Sequence, residues 1–343
     1  MKKRLLRHND GFLLIVALWT LTFLTILALA VGVGTRQKII LLDRLETRSR
    51  IQLAAEAGIK KAVAVLVDDL EESQFRYTPK AKVRRHNNQA EFSNIQLGDQ
   101  TVDVICPFYD EVTGKFVDRY GVCDEGAKIN LNVVDKLTLE NLIANVLAYS
   151  AVKVRTLAEN IVDWRDYGRH EAEGFFSDDY YKNLEFPYEM KEQPFERIDE
   201  LFLVKGVTRE AYDALRPYVT VYGDGRVNVN TASRKVLMAF GLDGVVVDKL
   251  LKARRGQDGR DSTGDDHVFY RVFDIASEVN TLVALEEKEA RQIDALNTRN
   301  LLTTDSMVFG MTSRVRSGEQ GAKRTIDAVF NAFSNKFEFW YEK

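Results

Sequence analysis

The hydrophobic pattern changes abruptly between Gly11 and Phe12. Residues 1–11 are mostly polar and include four basic side chains, whereas the 23 residues from Phe12 to Gly34 carry no charge. At about 1.5 Å per residue, a helix of this length spans roughly 34 Å, which is enough to cross a bilayer core of about 30 Å. The pattern therefore predicts a membrane-spanning helix over residues 12–34.

Apolar residues continue at helical spacing beyond this charge-free segment. No proline occurs from Phe12 to Glu72, and the apolar positions that recur every three to four residues are Ala55, Ile59, Val63, Leu66 and Leu70. The sequence thus predicts one helix that crosses the bilayer and enters the next domain. A 61-residue helix measures roughly 90 Å, far more than an ordinary globular helix.

After the long helix, the two outer parts of the remaining chain show alternating apolar and polar residues. In the middle part, apolar residues recur at helical spacing. Alternation predicts antiparallel strands in the segments 90–97, 101–109, 115–123 and 128–132, and again after residue 305. Helical patterns dominate residues 133–304. We therefore expect an α+β fold in which 35–132 and 305–343 form one sheet domain, interrupted by a mainly helical insertion domain.

Two segments of the predicted insertion resemble each other. "KINLNVVDKLTLENLI" (128–143) and "RVNVNTASRKVLMAF" (226–240) share an Asn-x-Asn motif followed by a potential helix N-cap, Asp135 or Ser233. The similarity predicts two related helical subdomains or one duplicated motif. The alternative is coincidence, because asparagine is common in turns between strands and helices.

The second segment continues as "NTASRKVLMAFGLDGVVVDKLLKAR", which resembles a helix-hairpin-helix element. Such elements often bind DNA phosphates through the backbone N–H groups of the hairpin, which here is Gly241-Leu242-Asp243-Gly244. The Asp243 carboxylate occupies the place of a phosphate. Residues 12–343 also carry 44 basic against 50 acidic residues, a balance that disfavours a nucleic-acid partner.

The N-terminus allows three interpretations. The basic residues before the span place the N-terminus in the cytoplasm and the chain from about residue 35 outside it. A secretory signal cut near Ala28-Leu29-Ala30, an uncleaved anchor, or a prepilin-type leader (1–11) cut between Gly11 and Phe12 all fit this orientation. The uninterrupted helical pattern beyond the span favours the prepilin-type leader.

Cys106 and Cys123 are the two cysteines of the chain, and both fall in the part predicted to be exported. An even cysteine count in an oxidising compartment favours a disulfide between them. Two buried free thiols are the alternative.

The sequence contains no recognisable catalytic constellation. The four histidines, His8, His86, His170 and His267, have no metal-ligand spacing, and the chain has no Gly-x-Ser-x-Gly motif. We therefore expect a protein that is not an enzyme.

An acidic segment, "DWRDYGRHEAEGFFSDDYY", is the candidate for metal binding. A loop between its two ends can bring together four carboxylates, those of Asp163, Asp166, Asp178 and Asp179. Such a group is repulsive unless a hard cation neutralises it, and calcium accepts six to eight oxygen ligands. The alternative is a solvated loop in which the carboxylates pair with Arg165 and Arg169.

Several of these segments together resemble the K-type minor pseudopilin family of the bacterial type II secretion system, over nearly the whole chain. The resemblance rests on the leader junction, "AAEAGIKKAV", "DEGAKINLN", "IVDWRD", "DDYY", "LFLVKGVTREAYDALRPYVTVYGDGRVNVNTAS" and the closing strands. It implies a pilin-like fold with long N-terminal helix and antiparallel sheet, interrupted by a helical insertion with helix-hairpin-helix-like repeats (133–304).

The resemblance also implies processing and metal binding. Prepilin peptidase is expected to cut after Gly11, and Phe12 is expected to be N-methylated. Calcium is expected in the insertion, with Asp163, Asp166, Asp178 and Asp179 as ligands, although Gly168 and Ser177 depart from the family pattern. Val16 replaces the glutamate usual at the fifth mature position, as suits a tip subunit that has no predecessor to pair with.

The resemblance further implies a place in an assembly. We expect an inner-membrane, single-pass subunit with a cytoplasmic N-terminus and a periplasmic C-terminal domain. Its expected partners are the I- and J-type minor pseudopilins, the major pseudopilin, the inner-membrane assembly platform and prepilin peptidase. Its expected role is to initiate and cap the pseudopilus tip. The alternatives are a membrane-anchored minor-pilin-like binding module for adhesion or DNA uptake, and an exported enzyme using the acidic site.

Overall fold

The computed structural model describes the residues 10–76, 88–111, 113–166, 177–261, 263–317 and 323–343. Within this part of the chain, one compact unit ends at Ala54 and a second extends from Ala55 to Lys343.

Helix α1 (Asp10–Arg76) supplies all of the described first unit. Among the described residues, the segment Gly11–Glu71 is long and apolar enough to cross a bilayer, and its most apolar window has a mean hydropathy of 2.6 with none of it buried. Phe12 and Trp19 are 70% and 74% exposed. The long helix predicted from the apolar spacing is confirmed, and it fits a single-pass membrane anchor.

In the second unit, the end of α1 packs against the sheet. The apolar residues predicted to line one face of the helix are buried, Val63 partly, and Ala55 and Ile59 are fully inaccessible. Gly58 makes this close packing possible. A Cβ on Gly58 would overlap the Oγ of Ser313 and lie 2.7 Å from Cγ1 of Val102, so a larger side chain would push the helix off the sheet.

Among the described residues, seven strands form one antiparallel sheet: β1 (Ile95–Leu97), β2 (Gln100–Asp110), β3 (Lys115–Tyr120), β4 (Cys123–Asp124), β9 (Val308–Ser317), β10 (Lys323–Asn331) and β11 (Lys336–Glu342). Their order is β1-β2-β9-β10-β11, with β3 paired to β2 and β4 paired to β9. Strands from the two ends of the unit are therefore neighbours, as Val102 opposite Val315 shows.

The chain between β4 and β9 forms the insertion. Its helices are α3 (Lys136–Val146), α4 (Ala151–Arg165), α5 (Ser177–Lys182), α6 (Arg209–Leu215), α7 (Arg234–Ala239), α8 (Gly244–Arg254), α9 (Ile275–Leu282) and α10 (Glu287–Thr298), with 3-10 turns η1 (Glu125–Ala127), η2 (Ile198–Leu203) and η3 (Val272–Asp274). One core of buried side chains extends from Ile129 to Leu302. The α+β fold with a helical insertion is thus confirmed.

Two local strand predictions are confirmed only in part, because β1 and β5 (Ile129–Asn130) are strands but the rest of each prediction is wrong. Part of 90–97 is a short helix, α2 (Gln89–Phe92), because Phe92 is buried and the N–H of Asn94 donates to Asp103 Oδ1 instead of to a strand. The segment 128–132 does not join the antiparallel sheet. Within it β5 pairs in parallel with β6 (Val219–Thr220), while β7 (Val227–Asn228) pairs in parallel with β8 (Leu302–Thr303).

Cys106 on β2 and Cys123 on β4 form a disulfide with their Cα atoms 5.2 Å apart. The two strands contact neighbouring segments of β9, so the disulfide closes a segment that contains β3. It fixes β4 immediately before the chain leaves the sheet for the insertion.

Candidate functional site

The first Asn-x-Asn motif connects three distant parts of the chain. Asn132 donates from Nδ2 to the carbonyl oxygens of Phe195 (2.9 Å) and Val221 (3.1 Å), and its Oδ1 accepts from the Phe195 N–H (2.7 Å). Asn130 accepts the N–H of Asn132 at Oδ1 and donates to the Gly223 carbonyl. The asparagines therefore satisfy backbone groups that no helix or strand satisfies.

In the second motif, the second asparagine repeats the three bonds of Asn132 and the first asparagine repeats the turn bond of Asn130, but Asn228 Nδ2 donates to the Asp124 side chain instead of to a backbone carbonyl. Asn230 donates from Nδ2 to the carbonyl oxygens of Phe269 (2.8 Å) and Thr304 (2.7 Å), and its Oδ1 accepts from the Phe269 N–H (2.9 Å). Asn228 accepts the N–H of Asn230 at Oδ1. Coincidental turn chemistry would not reproduce the distant partners, so the two copies are related subdomains, here called the first and second repeats.

Each repeat also contains an arginine, partly buried in the first and buried in the second, that donates to backbone carbonyl oxygens of the motif. Arg165, at the end of α4, donates to the carbonyls of Leu131 and Val134. Arg254, at the end of α8, donates to those of Val229 (3.1 Å) and Ala232 (2.8 Å). This role was not predicted from the sequence. The available signal was a basic residue in the last turn of the second helix of each copy.

Helix N-caps complete the similarity. Asp135 accepts the N–H of Thr138 at the start of α3, and Ser233 accepts that of Val236 at the start of α7. Each motif thus passes from a parallel strand through an asparagine turn into a capped helix. The first repeat centres on β5 and β6 and the second on β7 and β8.

Two of the predicted calcium ligands lie at the end of α4, in the first repeat. Asp163 lies in the last turn of α4 and Asp166 is its C-cap residue, with Oδ1 3.0 Å from Nε of Arg165. Residues 167–176, including Gly168 and Arg169, and the side chains of Asp178 and Asp179 lie outside the described residues. Helix α5 does place the backbone of those two aspartates after that segment. No group of three or more metal-ligating side chains occurs in the described chain.

An aromatic cluster borders the two described aspartates. Tyr181 contacts Trp164 (5.6 Å between ring centroids) and Tyr188 (5.4 Å), and its hydroxyl accepts the N–H of Lys205. Burial raises the pKa of Tyr181 to about 12, and the carboxylate of Asp163 acts in the same direction. The cluster holds α5 against the end of α4, and therefore fixes the spacing between the two halves of the acidic segment.

At the end of α8, the corresponding position in the second repeat, an aspartate forms ion pairs with two arginines. Asp261 accepts from Arg254 Nη2 (2.8 Å) and from Arg255 Nε (3.1 Å). Burial alone would raise the pKa of Asp261, but the charges and hydrogen bonds of both arginines bring it below its usual value.

The helix-hairpin-helix-like turn is engaged within the protein. The N–H of Asp243 donates to Gln292 Oε1 (2.9 Å), and Gln292 Nε2 donates back to Asp243 Oδ2 (2.6 Å). A phosphate would have to displace this pair and approach the Asp243 carboxylate. The hairpin therefore offers no support for DNA binding.

The remaining site residues lie on α1. Gly11, Phe12 and Val16 are exposed on this helix, and residues 1–9 lie outside the described chain. Cleavage of the leader between Gly11 and Phe12 stays a prediction. His8, His86 and His170 also lie outside the described residues, while His267 is 2.7 Å from Glu278.

Comparison with known proteins finds one family match and one similar structure. Residues 127–224, which include the first repeat, match the family described as "Type II secretion system (T2SS), protein K". A search of curated proteins finds no match. The fold is similar to that of GspK in the crystal structure of the GspK-GspI-GspJ complex from enterotoxigenic Escherichia coli. The TM-score is 0.56 with 16% sequence identity, over 87% of this chain and 97% of that chain.

The two comparisons concern different properties of the chain. The family match concerns the sequence of the first part of the insertion, and the structural similarity concerns the fold of nearly the whole chain. The chain therefore contains a segment similar to the type II secretion protein K family, within a fold similar to that of GspK.

Proposed function

We propose that this chain is a K-type minor pseudopilin of the type II secretion system. In this proposal it forms the tip of the pseudopilus, where it initiates and caps assembly for the export of folded proteins across the outer membrane. The observation that carries the proposal is the large insertion between β4 and β9, which has its own buried core. A head-to-tail filament grows unless a terminal subunit lacks one of two complementary surfaces. A bulky domain added to the pilin-like sheet supplies such a block.

Val16 also supports a location at the tip of the pseudopilus. It is the fifth residue after the proposed cleavage site, and it lies on the exposed surface of α1. A carboxylate within a bilayer is costly unless it is paired. A tip subunit has no preceding subunit to offer a partner, so an apolar residue avoids this cost.

The proposed partners are those of the similar structure and of the secretion pathway. GspK of that structure is found in a complex with GspI and GspJ, and we propose that this chain assembles with I- and J-type subunits. The major pseudopilin, the inner-membrane assembly platform and prepilin peptidase complete the set. The proposed orientation is a cytoplasmic N-terminus and a periplasmic C-terminal domain, as the basic residues before the apolar span favour.

Leader processing has a direct test. We propose cleavage after Gly11 and methylation of Phe12. Intact-mass analysis and N-terminal sequencing of protein from membranes, with and without active prepilin peptidase, distinguish the outcomes. A chain that begins at methylated Phe12 only when the peptidase is active supports the proposal. A chain that begins at Met1 or Val31 in both preparations contradicts it.

The tip position is tested on assembled filaments. A single label at the C-terminal Lys343 and electron microscopy of pseudopili formed with I- and J-type and major subunits show where the chain lies. One label at one end supports the tip. Labels along the filament, or filaments of unchanged number without this chain, contradict initiation and capping.

We also propose that the acidic segment of the first repeat binds calcium. Oxygen donors suit this hard cation, and Asp163 and Asp166 lie three residues apart at the end of α4. Asp178 and Asp179 would add further ligands, and the bound ion would offset the charge repulsion of the segment. Thermal unfolding of the full chain in detergent, titrated with calcium and then with magnesium, tests this. A selective rise with calcium supports the site, and equal responses to both ions contradict it.

A further inference from the structure

Two adjacent buried carboxylates lie where the chain leaves the sheet for the insertion. Asp124 is the last residue of β4 and Glu125 is the first residue of η1. They are only 6% and 5% exposed. A buried carboxylate is costly unless hydrogen bonds compensate it. Their hydrogen-bond partners therefore show what each carboxylate contributes.

Asp124 binds the second repeat. Its Oδ2 accepts from Asn228 Nδ2 (2.8 Å) and from Thr231 Oγ1 (2.6 Å), while its Oδ1 accepts the N–H of Gly126 (2.8 Å). Asn228 Nδ2 also lies 3.3 Å from Ser306 Oγ, where the chain returns to the sheet. Asp124 thus connects the outgoing segment, the second repeat and the returning segment.

Glu125 binds the first repeat. Its Oε2 accepts from Thr220 Oγ1 on β6 (2.6 Å), and its Oε1 accepts from Lys128 Nζ (2.8 Å). The same carboxylate lies directly over the sheet, because a Cβ on Gly310 of β9 would be 2.8 Å from Oε1. Glu125 thus connects the sheet with β6, whereas Asp124 connects it with β7.

We infer that Asp124 and Glu125 form a two-part joint that sets the orientation of the insertion on the sheet, with Asp124 holding the second repeat and Glu125 the first. The inference goes beyond the proposed function, since it holds wherever the chain lies in a filament. Hydrogen bonds to charged groups are stronger than those between neutral groups. Loss of either carboxylate is therefore expected to raise local opening of its own repeat about tenfold or more.

Hydrogen exchange of the full chain in detergent micelles, read by mass spectrometry, tests the joint. The reporter amides of the second repeat are Val229 and Ala232, which donate to Thr303 and Asn228. Those of the first repeat are Ile129 and Leu131, which donate to Tyr218 and Thr220. Asp124→Ala is expected to increase exchange about tenfold or more at the two reporters of the second repeat and to leave exchange at the reporters of the first repeat unchanged. Glu125→Ala is expected to give the reverse.

The controls separate this local effect from general loss of a carboxylate or of folding. Asp118→Asn removes a half-exposed carboxylate that pairs with Arg314 on the same sheet (2.8 Å), and it is expected to change neither pair of reporters. Asp124→Asn and Glu125→Gln keep the size of each side chain. Each is expected to increase exchange in the same repeat as the alanine variant does, by a smaller factor. They test the inference if the alanine variants unfold.

Two outcomes overturn the inference. Equal increases in both repeats from either variant mean that the insertion opens as one unit. No increase in a folded variant means that neither carboxylate holds its repeat. Because the assay needs no partner subunit, its result is independent of whether the chain lies at the tip.

Discussion

The duplicated asparagines allow one prediction to be worked out in detail. Asn230→Ala removes two hydrogen bonds donated to carbonyl oxygens and one accepted from the Phe269 N–H. Three backbone groups in the second repeat lose their partner. At about 1 kcal/mol for each bond, the free energy of unfolding is expected to fall by about 3 kcal/mol.

The first repeat and a simpler asparagine supply matched comparisons. Asn132→Ala removes the same three bonds from the first repeat and is expected to cost a similar amount. Asn160 is also half-buried, but its side-chain amide donates a single hydrogen bond within the described chain, to the Lys205 carbonyl (2.9 Å). Asn160→Ala is therefore expected to cost about 1 kcal/mol.

Thermal unfolding in detergent, followed by near-ultraviolet circular dichroism, measures the three variants side by side. A change of 1 kcal/mol shifts the melting temperature of a domain of this size by about 2–4 °C. Asn132→Ala and Asn230→Ala are thus expected to melt about 6–12 °C below the unmodified chain, and Asn160→Ala about 2–4 °C below it. Equal shifts for all three would refute the view that the distant bonds of the motif stabilise the repeats.

The other predictions concern the sheet and the second repeat. Cys106→Ser with Cys123→Ser is expected to lower the free energy of unfolding by about 3 kcal/mol, the chain-entropy value for a loop of this length, and reducing agent should then have no further effect on the denaturation midpoint. Asp261, with its lowered folded pKa, contributes stability above its unfolded pKa of about 3.9 and loses it as pH falls through the folded value. Asp261→Asn should therefore be less stable at neutral pH, and it should lose less stability than the unmodified chain on acidification, as urea titrations at several pH values will show. Gly58→Val is expected to cost at least 1–3 kcal/mol by overpacking against Ser313, and a denaturation midpoint equal to that of the unmodified chain would contradict the close packing.

The sequence predicted the elements whose signal is local and periodic. Ala55, Ile59 and Leu66 recur on one helical face, and the structure buries that face against the sheet. The long strands β9 to β11 follow from the same kind of pattern, because alternate residues face opposite sides of a sheet. The fold class was therefore accessible from spacing alone.

The parts that sequence analysis missed depend on distant contacts. Strand β5 has two residues and pairs with β6, about ninety residues away in sequence, so it leaves no periodic signal. The partner of Asn132 in the chain is Phe195, and that of Asp124 is Asn228. Residue identity indicated a need for hydrogen-bond partners at these positions, but only the folded chain shows which partners satisfy it.

The two repeats differ most at the ends of α4 and α8, and this difference bears on the calcium proposal. Near the end of α4 stand Asp163, Arg165 and Asp166, two carboxylates to one guanidinium, whereas Arg254 and Arg255 share the single carboxylate of Asp261 at the end of α8. The Asp261 carboxylate is thus paired with two guanidinium groups, whereas Arg165 lies near two carboxylates, and we expect a divalent cation to be attracted to the first set.

This asymmetry makes Asp261→Asn a matched control for Asp166→Asn. At a calcium concentration one hundred times the dissociation constant, binding stabilises a folded chain by about 2.7 kcal/mol. We expect Asp166→Asn to reduce the calcium-dependent rise in melting temperature and Asp261→Asn to leave that rise unchanged, whatever each substitution costs without calcium. If both variants keep the full rise, Asp166 is not a ligand. If both lose it equally, calcium acts on the insertion as a whole, and the charge difference between the repeats does not determine where it binds.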